Sequence, residues 1–188
     1  MKLHYIPTNI VFMIMMIIIL TSSNTNISYS QSNADDSLTF EDPLLGVQFK
    51  YTEEWVKEDS SLFGTDAECT SLPCVRLPEI SVTTSPIAYE GFSLENYTKQ
   101  QSLYHEDSEG YKPITLNETK IGGKDAFQYI YSTTSPFLTE NEEIINHEIY
   151  TTEDINLYKI SFTGFLDEQY DKYLNSFKKI INTFTITR

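Results

Sequence analysis

The chain has 188 residues, 40% of them hydrophobic, and its 13 Lys and Arg against 27 Asp and Glu give a formal net charge of −14. This length is enough to bury one hydrophobic core without metals or many disulfides, so we expect one folded domain. Binding of nucleic acid needs clustered Lys and Arg, so the dispersed acidic charge argues against a nucleic-acid partner and favours a monomer when isolated.

The N-terminal segment has the pattern of a secretory signal. A Lys precedes an apolar run at residues 10–20, which is short for a membrane span, and a polar Ser/Thr/Asn stretch follows it. Small residues before Gln31 predict cleavage of a signal peptide at residues 1–30. The alternative is that this segment is not cleaved and acts as an N-terminal membrane anchor. The polar residues 31–37 predict a flexible lead, and residues 38–188 the folded domain. We therefore expect an extracytoplasmic protein, either secreted or membrane-anchored.

Turn signals and alternation predict the first elements. Residues 43–46 form a turn between two short alternating segments, of which the second, residues 47–52, reads as a half-buried strand. Trp55 follows, and an aromatic residue of this size most often closes a core. Residues 56–70, mixed in charge, predict an irregular excursion, and residues 75–84 predict a strand rich in β-branched residues.

Cys69 and Cys74 lie close together in a chain that we expect to be exported, so the sequence predicts a small disulfide loop. A metal site at this pair would need two more soft or imidazole ligands, and the neighbouring residues offer none. Sequons at Asn96 and Asn117 also fit an exported protein and make both side chains candidate glycosylation sites, with chance occurrence of the motif as the alternative.

Two helices are predicted, at residues 93–104 and residues 167–181. Ser93 is a favourable N-cap for the first helix. The second places apolar residues on one stripe, with acidic residues in its first turn and two Lys in its last, which suits the helix dipole. Alternation with a period of two predicts five further strands, at residues 111–121, 126–131, 143–152, 157–165 and 183–187. The Gly-Gly pair at residues 122–123 predicts a hairpin turn.

Several of these segments, in this order, resemble the PsbP family, which includes the Ran-binding protein Mog and related exported bacterial proteins. The matching pieces are residues 40–42, 46–51, 55, 93–98, 121–126, 158–162, 173–174 and 180–184. The family pattern usually has Pro where this chain has Thr52. The resemblance implies an α+β fold, an α/β/α sandwich whose central antiparallel sheet has helices on both faces. It also implies docking to a larger partner, and it carries over no catalytic residue.

Candidate catalytic residues are scarce. After residue 30 the chain has only His105 and His147, and it contains no Gly-x-Ser-x-Gly elbow that would hold a nucleophile against a base. We therefore expect a protein that is not an enzyme, with an unrecognised hydrolase as the remaining alternative.

A divalent-metal site is the second chemical hypothesis. His147 with Glu142 or Glu143 could supply ligands to calcium or manganese, as could His105 with the two acidic residues after it. Glu148 is adjacent to His147 and would point to the opposite face of a strand, so these two cannot easily share one ion. Plain solvated charge is the alternative interpretation of all these acidic residues.

Tyrosine is abundant, and four tyrosines fall on predicted strands: Tyr129, Tyr131, Tyr150 and Tyr158. Such residues either form an interface or follow the strand preference of aromatic residues, and we favour the second interpretation.

The sequence as a whole predicts a non-enzymatic exported module of PsbP-like fold that docks on a membrane or cell-surface protein assembly, its acidic surface meeting a basic partner. The alternative is a protein that binds or delivers calcium or manganese.

Overall fold

The structure is a computed structural model that describes residues 37–67, 76–88, 90–106, 110–134 and 143–187. Its strands are β1 (Leu38–Asp42), β2 (Val47–Tyr51), β3 (Trp55–Glu58), β4 (Ser61–Gly64), β5 (Glu79–Pro86), β6 (Lys112–Ile121), β7 (Lys124–Thr134), β8 (Glu143–Glu153), β9 (Asn156–Phe165) and β10 (Thr185–Ile186). Its helices are α1 (Leu94–His105) and α2 (Tyr170–Thr183). The predicted signal peptide, Cys69, Cys74 and Glu142 lie outside the described residues. No helix in these ranges is long and apolar enough to cross a membrane.

The strands form two antiparallel sheets. The large sheet has seven strands in the order β3-β4-β5-β9-β8-β7-β6, and the small sheet has the order β1-β2-β10. The long hairpins β6–β7 and β8–β9 form one half of the large sheet, with Ile149 opposite Ile160 in the second hairpin. The Gly-Gly turn and both predicted hairpins in this part of the chain are thereby confirmed.

The two helices pack on opposite faces of the large sheet. Side chains alternate faces along β8. His147 contacts the rings of Tyr170 and Phe177 in α2, whereas Tyr150 contacts the ring of Tyr97 in α1. The predicted α+β fold, an α/β/α sandwich with a central antiparallel sheet, is therefore confirmed.

The larger core lies under α2 and is rich in aromatic residues. Phe177 stacks on Phe162 of β9 with ring centroids 5.4 Å apart. Phe40 and Phe49 of the small sheet stack at 4.4 Å, and Phe49 continues to Phe184, which follows α2. Burial of large aromatic side chains dominates the energetics of such a core, so α2 joins the two sheets mainly through these rings.

The two helices differ in how their first turns are capped. Ser93 caps α1 as predicted, because its hydroxyl accepts a hydrogen bond from the Asn96 N–H (3.3 Å). The second helix begins at Tyr170, later than predicted, because the Asp167 carboxylate instead accepts from the Gln169 N–H (2.8 Å) in a turn before it. That local bond competes with helical geometry, which is a common property of Asp.

The prediction of an irregular excursion after Trp55 was wrong. Its described part forms the β3–β4 hairpin, in which Trp55 pairs with Gly64 and Glu58 with Ser61. The strands are only four residues long, and Asp59 in the turn adopts a positive φ of 49°. Asp tolerates this conformation better than most residues, so a tight turn forms without glycine.

Gly122 occupies a position that a side chain cannot share. Its φ is +54°, and a Cβ atom there would lie 1.9 Å from the Phe184 carbonyl oxygen. We expect Gly122→Ala to lower the free energy of unfolding by about 2 kcal/mol, measured by urea denaturation, since it adds a clash to an unfavourable φ. Gly123, with φ +81° and no atom near its Cβ position, is the matched control. An equal loss for Gly123→Ala would contradict the role of the clash.

Candidate functional site

A groove of about 460 Å³ lies between α2 and the part of the large sheet formed by β6, β7 and β8. Alternating residues place Gln128 and Ile130 of β7, and His147 and Ile149 of β8, on the side that faces the helix. One wall of the groove is therefore built from the alternation of two neighbouring strands.

The opposite wall is α2. Leu174, Lys178 and Asn182 are spaced by four residues and so follow one line along the helix, with Phe177 and Ile181 beside them. The helix packs on β9, where Phe177 stacks on Phe162. Its C-terminal end meets the turn after β6, where the Gly122 N–H donates to the Ile181 carbonyl (3.2 Å), and the groove lies between these two contacts.

His147 forms part of the groove floor and is 5% exposed. The Gln128 amide donates to its Nδ1 (3.4 Å), and its Nε2 is hydrogen bonded to the Tyr170 hydroxyl (2.6 Å). Burial, together with the positive charge of Lys178, lowers the pKa of His147 to about 4. Burial also raises the pKa of Tyr170 to about 12. Both side chains are therefore neutral at pH 7.

The side chains that line the groove are of the kinds that bind a ligand. Its described lining residues combine an apolar floor with the amides of Gln128 and Asn182 and the ammonium groups of Lys120 and Lys178, and they include no carboxylate, serine or cysteine. Nucleophilic catalysis requires a nucleophile held against a base, and both ring nitrogens of His147 already have partners. A ligand could be held there by apolar contact, hydrogen bonds and positive charge.

The described metal candidates are not brought together. Glu143 begins β8 with its carboxylate 3.9 Å from the Lys112 ammonium, and it precedes His147 by four residues, about 13 Å along a strand. Among the described residues, no group of three or more His, Cys, Asp and Glu side chains could hold a metal ion. Since Glu142 lies outside these residues, the calcium or manganese site stays a prediction.

A second polar cluster lies on the other face of the sheet, beneath α1. Glu148 is buried there, and its carboxylate accepts from the Tyr150 hydroxyl (2.5 Å) and lies 3.3 Å from the Lys159 ammonium. Burial and the charge of Glu148 raise the pKa of both Tyr131 and Tyr150. The sequence correctly separates Glu148 from His147, but it misses this cluster, although alternation along β8 places Glu148 and Tyr150 on one face.

The strand tyrosines are interior residues. Tyr129, Tyr131 and Tyr150 lie under α1, Tyr158 lies on the α2 side, and all four are buried. The hydroxyl groups of Tyr129 and Tyr111 are hydrogen bonded to each other. These residues therefore follow the strand preference of aromatic side chains, as predicted, rather than forming an exposed surface.

The two sequons occupy different surroundings. Asn96 is exposed in α1, while the sequon's Thr98 is buried, with its hydroxyl donating to the Leu94 carbonyl (2.8 Å). Asn117 is exposed in the middle of β6. Glycosylation of Asn96 and Asn117, and the disulfide between Cys69 and Cys74, stay predictions.

Comparison with known proteins identifies the fold. No protein-family model and no curated protein matches the chain. Among solved structures, it is similar to LpqN, involved in cell envelope biogenesis of Mycobacterium tuberculosis (TM-score 0.58, 11% identity, covering 83% of this chain and 88% of that one). It is also similar to cyanobacterial PsbP from Synechocystis sp. PCC 6803 (TM-score 0.50, 14% identity, covering 85% of this chain and 97% of that one). A third similar structure is the Saccharomyces cerevisiae Ran-binding protein Mog1p (TM-score 0.50, 8% identity, covering 80% of this chain and 95% of that one). The resemblance read from the sequence is thus confirmed at the level of the fold, which is that of the PsbP and Mog proteins.

Proposed function

We propose that this protein is a non-enzymatic, exported binding module that docks on a protein assembly at a membrane or cell surface. The observation that carries the proposal is the groove between α2 and the sheet, whose described lining residues combine apolar, amide and ammonium groups and include no carboxylate, serine or cysteine. Its volume of about 460 Å³ lies within the usual range of ligand-binding clefts.

The structural neighbours and the sequence give further support to this proposal. Mog1p, which shares the fold, is a Ran-binding protein, and LpqN is involved in cell envelope biogenesis. Since one fold hosts many functions, these neighbours raise the expectation of a binding role without naming a partner. The signal-like N-terminal segment supports export, and the net charge of −14 supports association with a basic surface.

The test is recovery of the protein from the membrane and secreted fractions of its own cells, followed by native mass spectrometry. We expect a complex with a protein partner that dissociates as ionic strength rises from about 0.1 M to about 1 M, because the Debye length falls from about 10 Å to about 3 Å. A chain without a partner at low salt, or turnover of an ester or peptide substrate, would contradict the proposal. A bare chain that holds one divalent ion would favour the metal-binding alternative.

A further inference from the structure

We infer that strand β6, with the groove beside it, binds an extended acidic peptide segment of the partner by strand addition to the large sheet. The inference rests on the proposed function and concerns one surface of the chain: the acidic segment would occupy the β6 edge, while basic residues of the partner meet the acidic charge elsewhere on the chain. In strand addition, main-chain hydrogen bonds supply affinity, and pockets for alternate side chains supply specificity.

The two edges of the large sheet differ in length. In the described part of the chain β6 is the last strand of the large sheet, and most of its ten residues are exposed. An edge strand presents a row of unpaired backbone N–H and C=O groups. The opposite edge, β3, has only four residues. The β6 edge is therefore the longer template for an added strand.

Strand β6 is irregular only near its start. Pro113 lacks an N–H, and the pairing with β7 shifts between Pro113 and Thr115. From Thr115 to Ile121 the pairing is regular, without proline or glycine, and Ile121 is buried. The proline and the shift in pairing are thus confined to one end of β6, and the backbone of residues 115–120 is regular enough to pair with an added strand.

The groove lies beside the α2 side of β6. Thr115, Asn117 and Thr119 pair with Ile130, Gln128 and Ala126, so these three residues of β6 share the α2 side of the sheet. Every second side chain of an added strand would project on the same side, beside the groove that Thr119 lines. The groove could then accept those side chains.

Charge on the α2 side also favours an acidic segment. The described lining of the groove includes Lys178 of α2 and no carboxylate, in a chain of net charge −14. Glu118 pairs with Phe127 and so faces the α1 side. Lys120 pairs with Asp125 and therefore shares that side with Glu118, and its ammonium lies 2.7 Å from the Asp125 carboxylate. The groove thus presents the Lys178 ammonium without a carboxylate beside it, which fits an acidic side chain of the added strand.

The sequon on this strand provides an independent check. A glycan on Asn117 would cover the middle of residues 115–120 and block strand addition. Contrary to the prediction from the sequon alone, strand addition therefore requires Asn117 to be unmodified in the protein isolated from its own cells. A glycan found on Asn117 by peptide mass spectrometry would overturn the inference.

The main experiment uses the full chain and a synthetic seven-residue peptide of alternating Glu and Val. Fluorescence anisotropy measures its affinity, and hydrogen exchange locates it. We expect protection of residues 115–120 and affinity about tenfold higher than for the same peptide with Lys in place of Glu. Two further peptides carry N-methyl groups on alternate residues, one on the odd positions and the other on the even positions. Only one edge of the added strand hydrogen bonds to β6, so only the peptide that keeps its N–H groups on that edge should bind.

The matched variants are Lys178→Glu and Lys179→Glu. Both positions are exposed on α2, and only Lys178 lines the groove. We expect Lys178→Glu to weaken binding of the Glu-Val peptide about tenfold, because it replaces an attraction with a repulsion. Lys179→Glu should change affinity less than about twofold, because residue 179 lies outside the groove and salt screens its charge from the peptide. Equal effects of the two variants would overturn the inference.

Other outcomes separate this inference from the proposed function. If the Glu-Val peptide fails to bind while the salt-sensitive complex with a protein partner is observed, strand addition at β6 is wrong and docking stands. If protection of residues 115–120 rises with protein concentration in the absence of peptide, a second copy of this chain is the occupant, and the inference is overturned.

Discussion

Replacing Trp55 with Ala is expected to lower the free energy of unfolding by about 3–5 kcal/mol, the usual cost of removing a large aromatic side chain from a core. Trp55 is 2% exposed and contacts two rings edge-on, Tyr173 at 5.1 Å and Phe162 at 6.4 Å between centroids. Its indole N–H donates to the Ser176 hydroxyl (2.8 Å). The substitution would leave a cavity where β3, β9 and α2 meet. Urea denaturation monitored by far-UV circular dichroism measures the loss.

Three controls divide the effect of Trp55→Ala into its parts. Val56, the next residue, is 43% exposed, and Val56→Ala should cost less than about 0.5 kcal/mol. Trp55→Phe keeps a ring and loses the N–H, whereas Ser176→Ala loses the acceptor. If the hydrogen bond contributes to stability, the double variant should lose about 0.5–1.5 kcal/mol less free energy of unfolding than the sum of the losses in the two single variants. A loss below about 1 kcal/mol for Trp55→Ala would show that Trp55 does not close the core.

The elements with a strong period could be predicted from the sequence. The stripe of the C-terminal helix identified the face that packs on the sheet, with Tyr173, Phe177 and Ile181 all buried. Alternation likewise placed His147 and Glu148 on opposite faces of β8, and the structure gives them separate partners. In both cases a local repeat was sufficient, because a side chain's direction follows directly from the period.

The groove and the Glu148 cluster could not be predicted, because they depend on distances between elements. The groove exists because α2 crosses the sheet over β9 and leaves the side of β6 open, which no local pattern reveals. The buried Glu148 depends on the register that sets it opposite Tyr129 and Ser161. Pairing register is set by the whole hairpin, so the sequence showed four strand tyrosines without showing which of them surround a carboxylate.

Lowering the pH from 6.5 to 4 is expected to remove about 3 kcal/mol of stability through His147 alone. Its pKa is about 4 in the folded protein and 6.5 as the ordinary value for histidine. Between these values the unfolded chain binds a proton that the folded protein does not, so acidification favours unfolding. Above pH 6.5 the contribution is fully present, and below pH 4 it is fully lost.

The groups around His147 explain this direction. Burial disfavours the charged imidazolium, and the nearby ammonium of Lys178 repels it. The Tyr170 hydroxyl and the Gln128 amide, its two hydrogen-bond partners, are neutral and offer no compensating negative charge. A proton on His147 would therefore be an unpaired charge in the floor of the groove, which favours the unfolded state.

The measurement is the difference between the wild type and His147→Gln in urea denaturation at pH 7, 5.5 and 4. Carboxylates also titrate in this range, and they do so in both proteins, so the difference isolates His147. The wild type should lose about 3 kcal/mol more than the variant between pH 7 and pH 4. Equal pH dependence in wild type and His147→Gln, or an NMR titration that places the pKa of His147 near 6.5, would show that the imidazole is not held neutral by its surroundings.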